Sequence, residues 1–263
     1  MDVREIVQTW DALRAQGPLV QCLTNIVVAP FTANVLLAVG AAPAMVDVPE
    51  EAEVFAGIAS GVLINLGTPY AETRAAMLQA ARAAVAAGRP WVLDPVAVGA
   101  LPVRTGLARE LLDIGPTVVR ANASEVLGLA GVGAGGRGVD ARDEAEAALP
   151  AAQELLRRGV QAVAVSGPVD LVVSAAGAVR LTGGSPLMTR VTGVGCALGA
   201  LTAAACAVAP DARLAAAAAT AGLCAAAERA ESTSRGPGSF AVHLLDELSL
   251  LEGDALAAHV QLS

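Results

Sequence analysis

The residues of this chain best placed to do chemistry lie in Val191-Thr192-Gly193-Val194-Gly195-Cys196-Ala197-Leu198-Gly199-Ala200, where an irregular stretch gives way to an alanine-rich helical pattern. The first turn of a helix carries unpaired N–H groups and the positive end of the dipole, and so attracts anions. Glycines just ahead of it let a ligand come close to the backbone. A cysteine there is expected to have a lowered pKa and to be partly thiolate. Taken locally, Gly193, Gly195 and Cys196 form an anion site beside a nucleophile, a base or a bare binding group.

Further candidates stand where apolar, strand-like runs end. Asp94-Pro95 follows Trp91–Leu93, and an acid at the carboxyl end of a strand suits a metal ion or a phosphate; a plain Asp-Pro turn is the alternative. Arg120-Ala121-Asn122-Ala123-Ser124-Glu125 follows the next run. Asn122 and Glu125 have capping-box spacing, while the functional alternative has Glu125 holding Mg²⁺ through water and Arg120 meeting a phosphate. A third run ends at Ser166-Gly167. Three successive strands ending in polar groups favour a shared site. Thr24, Asn25 and Asn34 are polar groups in apolar surroundings, suited to orienting a small ligand. Gly131-Val132-Gly133-Ala134-Gly135-Gly136 has dinucleotide-fingerprint spacing but follows a helix, so it reads as a surface loop.

Positioning such residues requires strands alternating with helices. Strands are expected at Ala44–Val46, Gly61–Leu66, Trp91–Val96, Thr117–Ala121 and Ala162–Ser166. Helices are expected at Glu50–Ala59, Tyr70–Ala87, Thr105–Ile114, Ser124–Leu129 and Glu144–Arg158. Asp170–Ser174 and Ala178–Leu181 flank a hairpin turn, and three long helices finish the chain. The alternation predicts an α/β fold around a mostly parallel sheet, in one domain over residues 1–263. Ligands in such sheets bind beyond the carboxyl ends of the strands.

Composition narrows the chemistry. All 17 basic residues are arginine, which removes the lysine-bearing phosphate loop, the protein-kinase lysine and Schiff-base catalysis. The histidines, His243 and His259, are both near the C-terminus, which argues against a histidine triad or a multi-histidine zinc site. A net charge of −8 argues against nucleic acid or an anionic membrane as partner. Mean hydropathy is positive, but the most apolar stretches, Cys196–Ala209 and Leu214–Ala227, are alanine-dominated and shorter than a bilayer span. Cys22, Cys196, Cys206 and Cys224 show no CxxC spacing, so a cytoplasmic protein with reduced thiols is expected.

Together these motifs resemble the hydroxyethylthiazole kinases, members of the ribokinase-like superfamily. The resemblance runs through Gln21–Asn25 with Phe31–Ala44, Leu93–Ala100 with Arg104-Thr105, Val119–Val126 and Val163–Gly167. It is most specific in Gly183–Ala200 and Arg235–Phe240. It implies a three-layer α/β/α sandwich and phosphorylation of the primary alcohol of 4-methyl-5-(2-hydroxyethyl)thiazole by ATP with Mg²⁺. It also implies a homotrimer with active sites between subunits. Met45 and Gly193 match substrate positions, with Asn25 beside them. Arg120 and Ser166 match ATP positions, with Gly195 at the phosphate. Asp94 and Glu125 match the acidic pair near Mg²⁺, and Cys196 stands where most ribokinase-like enzymes place an aspartate base. Gln21, Ala97, Ala121, Ser185 and Val194 depart from the usual His, Gly, Gly, His and Thr. Within the fold, a hydroxymethylpyrimidine-type kinase is the rival reading; outside it, a non-catalytic nucleotide-binding regulatory trimer.

Overall fold

The computed structural model describes residues 1–132 and 144–263. Most of the glycine-rich stretch read as a surface loop lies outside the described residues. Among the described residues nine strands form one sheet, side by side in the order β2-β1-β3-β4-β5-β6-β7-β8-β9. The strands are β1 (Leu19–Leu23), β2 (Ala42–Ala44), β3 (Gly61–Asn65), β4 (Trp91–Asp94), β5 (Val118–Asn122), β6 (Ala162–Ser166), β7 (Val169–Ser174), β8 (Gly177–Thr182) and β9 (Gln261–Leu262). The strands from β2 to β6 in this order are parallel; β7, β8 and β9 join by antiparallel pairing. The α/β class and mostly parallel sheet expected from the sequence are present.

Helices cover both faces. One face carries α1 (Val3–Gln16), α2 (Ala29–Ala38), α9 (Val194–Cys206), α10 (Ala212–Thr233), α11 (Pro237–Leu250) and α12 (Gly253–His259). The other carries α3 (Pro49–Ile58), α4 (Ala71–Ala86), α5 (Pro102–Ile114), α6 (Ala123–Ala130), α7 (Glu144–Ala147) and α8 (Leu149–Arg157). The helix expected over 144–158 is therefore two pieces, and Pro150 sits in the first turn of the second, where its missing N–H costs nothing. The strand expected at Ala44–Val46 lies two residues earlier, paired with β1. β4 stops at Asp94 because Pro95 supplies no ladder donor. No helix among the described residues is long and apolar enough to cross a membrane.

Alternation along the strands decides which side chains meet. Leu63, Val92, Val118 and Ala164 point to the α9–α10 face, while Val62, Leu93, Val119 and Val163 point to the other. A period of two then puts Asn65, Asp94, Arg120 and Ser166, each two residues further on, on the α9 face as well. Register aligns Asn65 with Asp94 on adjacent strands, and Asn122 with Ser166.

The alanine-rich composition has a packing purpose. A Cβ on Gly61 would meet the carbonyl oxygen of Ala203 at 2.4 Å, and one on Gly199 would meet Leu63 Cδ1 at 2.9 Å. Small residues thus let α9 lie directly on β3. Each alanine buries little apolar area, but close approach recovers dispersion contacts along the whole helix. The same closeness brings the first turn of α9 over the strand ends.

Candidate active site

Gly193 caps α9 with φ +92°, a left-handed conformation that favours glycine, and no side chain among the described residues caps the helix. A Cβ at Gly193 would also press on Val28 Cγ1 at 2.9 Å. The N–H groups of the first turn are therefore left for a ligand. Arg120 comes from β5 to the same place: a Cβ on Gly195 would lie 3.1 Å from its Nη1. Its Nη2 donates to Ser166 Oγ at 2.6 Å, while its Nε is buried without a partner among the described residues. A guanidinium, a hydroxyl and a bare helix N-terminus thus converge, a combination suited to phosphate.

Beside this anion site runs a buried polar chain. Asn65 Nδ2 donates to Asp94 Oδ2 at 2.7 Å, and Asn25 Nδ2 donates to Asn65 Oδ1 at 2.9 Å. Asn25 Nδ2 also lies 3.6 Å from Cys196 Sγ. Burial pushes the Asp94 carboxyl up to about 7; Arg120 and the Asn65 bond oppose this, and the Glu125 charge adds to it.

For Cys196 the sequence expectation is corrected. Its thiol is raised, not lowered, because burial and the Asp94 charge outweigh the help from Asn65, Arg120 and Asn25. The helix-terminus signal is real, but it falls on a side chain folded into a partly dry site beside a carboxylate.

Glu125 serves two local purposes together. It closes the capping box with Asn122 at the start of α6, its Oε2 accepting from the Asn122 N–H at 3.0 Å. Its Oε1 accepts from the Ala97 N–H at 2.9 Å, tying the loop after Asp94 to α6. Ala97 is the only non-glycine residue with positive φ among the described residues, at 59°, a conformation that glycine would adopt without steric cost.

The carboxylates fit a hard cation. Among the described residues no protein group donates to Asp94 Oδ1, the Glu125 oxygens keep spare lone pairs, and the two charges repel. No cluster of three or more acidic, histidine or cysteine ligands occurs among the described residues.

A cavity of about 570 Å³ opens from Arg120, Ser166 and Gly195 towards Gly183, Met188 and Leu223. Asn25, Asp94, Arg120, Ser166, Gly193, Gly195 and Cys196 are thus gathered at one end of the sheet, with Glu125 beside them. Met45 stands apart, exposed, just beyond β2 at the outer edge. Sequence reasoning missed Asn65, hidden inside an apolar run, although a polar residue closing a buried strand was a usable signal. It also missed Asp170, which lines the cavity and accepts from the Gly167 N–H at 3.1 Å.

The profile of the hydroxyethylthiazole kinase family matches residues 10–254. The chain belongs to that family. It is a phosphotransferase. A hydroxyethylthiazole kinase of Clavibacter sepedonicus is 59% identical over 251 residues, covering 95% of this chain and 91% of that protein. One from Leptospira interrogans is 50% identical, covering 94% of each. The structure of a hydroxyethylthiazole kinase protein from Pyrococcus horikoshii OT3 superposes with a TM-score of 0.91 at 35% identity, covering 99% of this chain and 98% of that one. A pyridoxal kinase from Staphylococcus aureus, 18% identical with a TM-score of 0.61 and covering 80% and 87%, shares the fold. The ribokinase-like sandwich is therefore the architecture of this family member.

Proposed function

We propose that this kinase transfers the γ-phosphoryl group of ATP to the primary alcohol of 4-methyl-5-(2-hydroxyethyl)thiazole, in thiamine biosynthesis or salvage. The convergence of Arg120 and Ser166 on the open N-terminus of α9 carries the reading. The arginine–hydroxyl pair holds the phosphates of ATP. The N–H groups of Gly193–Cys196 surround the oxygens of the group in flight and replace the absent lysine. Asn25, Gly193 and Met45 hold the alcohol. Mg²⁺, when bound through water near Asp94 and Glu125, supplies neutralisation of phosphate charge.

Transfer is mostly positioning and electrostatics, because the transition state is loose. The alcohol's proton need not leave early. A protonated Cys196 is compatible with this, and we assign its sulfur to shaping the acceptor end of the anion site.

Met45 reaches the site in the assembled enzyme. Ile26, Val27, Leu37, Met45, Val48 and Val54 all stand exposed on segments bordering the outer strands, which supports association of copies through this edge, and we propose a homotrimer with sites between subunits. The four free cysteines are in keeping with a reducing cytoplasm. Coupled ADP release tests the function. The thiazole alcohol is expected to drive it, and hydroxymethylpyrimidine at equal concentration is expected to do so at least about tenfold less well; the reverse order overturns the assignment. Sedimentation is expected to give a trimer.

A further inference from the structure

We infer that Asn65 is a positioning residue for phosphoryl transfer: its carboxamide holds Asp94 and Asn25 in one fixed arrangement and, together with Asn25, places the sulfur of Cys196. The inference rests on the phosphotransfer reading above. Asn65 closes β3 with no exposed surface, so it touches neither solvent nor substrate.

Both ends of its amide are engaged. Oδ1 accepts from the backbone N–H of Gly67 at 3.0 Å and from Asn25 Nδ2 at 2.9 Å. A backbone N–H can only donate, so the amide oxygen must face Gly67 and the amide nitrogen must face Asp94 Oδ2, 2.7 Å away. No other side chain of this size presents a donor on one side and a double acceptor on the other. Aspartate would set two carboxylates face to face, and leucine would leave the Gly67 N–H and Asp94 Oδ2 without a partner and Asn25 Nδ2 with the sulfur alone.

A second observation points the same way. A Cβ on Gly67 would lie 2.5 Å from the Cβ, Cγ and Nδ2 of Asn25. The turn after β3 therefore both binds the Asn25 amide and leaves room for it. Arg104 Nη2 donates to the Gly67 carbonyl and holds the turn from the other side. Asn25 cannot move without Asn65 or Gly67 moving too, and the Asn25 amide is what touches Cys196 Sγ at 3.6 Å. The ATP contacts, Arg120 and Ser166, belong to β5 and β6 and bond to each other and not to this turn.

The consequence is a split in the kinetics. Asn65→Leu is expected to lower kcat about 10²-fold, the scale of a small misplacement near the reacting atoms, with KM for ATP within about twofold of wild type. Gly67→Ala, which keeps Asn65 but displaces Asn25, is expected to give the same pattern and carries the test if the leucine variant fails to fold. Adding Asn25→Ala to either variant is expected to cost little more, because the residues act as one unit. An activity-independent readout accompanies these assays: the side-chain NH₂ resonance of Asn25, identified by its loss in Asn25→Ala. It is expected at a hydrogen-bonded position in the wild-type protein and at a solvent-like one in both variants. Unchanged kcat, a KM effect confined to ATP, fully additive losses or an unmoved Asn25 resonance would each overturn the inference. Failure of the wild-type enzyme to phosphorylate the thiazole alcohol counts against the functional reading alone, since the resonance still reports the positioning.

Discussion

The guanidinium of Arg120 lies on the backbone of Gly195 so closely that a Cβ there would come within 3.1 Å of Nη1 and 3.3 Å of Nη2. Gly195 is thus required for what approaches it. Gly195→Ala should not destabilise the fold, because alanine is the better helix former by up to about 1 kcal/mol. It should push Arg120 off the phosphate path. The expected result is a KM for ATP raised about tenfold, a melting temperature no lower than that of the wild type and a KM for the alcohol within about twofold. An unchanged KM for ATP would remove Arg120 from ATP binding.

Glu125 has a capping role and a proposed metal role, and two variants separate them. Asn122→Ala removes the side chain that accepts from the Glu125 N–H at 2.9 Å, and should cost about 1 kcal/mol of stability. It leaves the Glu125 carboxylate in place, so the Mg²⁺ concentration for half-maximal activity should hold. Glu125→Gln should cost a similar amount of stability and raise that Mg²⁺ requirement about tenfold. Titrating Mg²⁺ at saturating ATP reads the difference. Equal Mg²⁺ curves for both variants would leave Glu125 as a cap alone.

Asp94 is a charge held where the fold alone would not keep one. Its folded pKa of about 7 stands above the ordinary carboxylate value near 4. The native state therefore binds the proton more tightly than the unfolded chain. The stability this gives is full below about pH 4 and is lost as pH rises to about 7, so the buried charge is a net burden above neutrality. Asp94→Asn keeps an acceptor for Asn65 Nδ2 and removes that burden. In the absence of nucleotide and Mg²⁺, it should raise stability by a few kcal/mol at pH 8 and by much less at pH 5, on a scale of about 1.4 kcal/mol per pKa unit. Turnover should be abolished. Thermal melts at the two pH values check the sign, and a larger gain at pH 5 would contradict it.

Much of this site was legible because its residues stand at or near the carboxyl ends of strands. Asp94, Arg120 and Ser166 each end an apolar run, and period-two alternation places them on one face. The Gly193–Cys196 turn announced itself by glycines ahead of a helix. What stayed hidden depends on register and burial. Asn65 gains its meaning only from pairing with Asp94 on the next strand. The ionisation of Cys196 depends on how deep its sulfur sits and on a carboxylate more than a hundred residues away in sequence. The last strand, Gln261–Leu262, has too few residues to carry a periodic signal, and is held by pairing with β8.

Ala97 offers a test of strain. Left-handed backbone costs a non-glycine residue about 1–2 kcal/mol, while glycine loses about 0.5–1 kcal/mol through a freer unfolded chain. Ala97→Gly should therefore be neutral to about 1 kcal/mol stabilising. Ala80→Gly, in the buried middle of α4, should destabilise by about 1 kcal/mol or more. Denaturant midpoints of the two variants should move apart. Matching destabilisation would mean that Glu125 and the surrounding loop do not hold Ala97 in the left-handed region.

Cys196 separates a base from a binding wall. A general base contributes about 10²–10⁴-fold, and its loss would show at that scale. Burial and the Asp94 charge raise the thiol, so a Cys196 base would make kcat climb with pH beyond about 8.5, the ordinary thiol value. A sulfur that only shapes the acceptor position leaves kcat flat there. With the thiol protonated at neutral pH, Cys196→Ala should reduce kcat less than about fivefold and leave the alkaline profile unchanged. Cys196→Asp should remain active, because a carboxylate can accept the alcohol's proton even with its own pKa raised by burial and by the Asp94 charge beside it. A loss of 10² or more in the alanine variant, restored by aspartate, would return the base role to this position. A folded but inactive aspartate variant beside an active alanine one would show instead that added negative charge repels the incoming phosphoryl group.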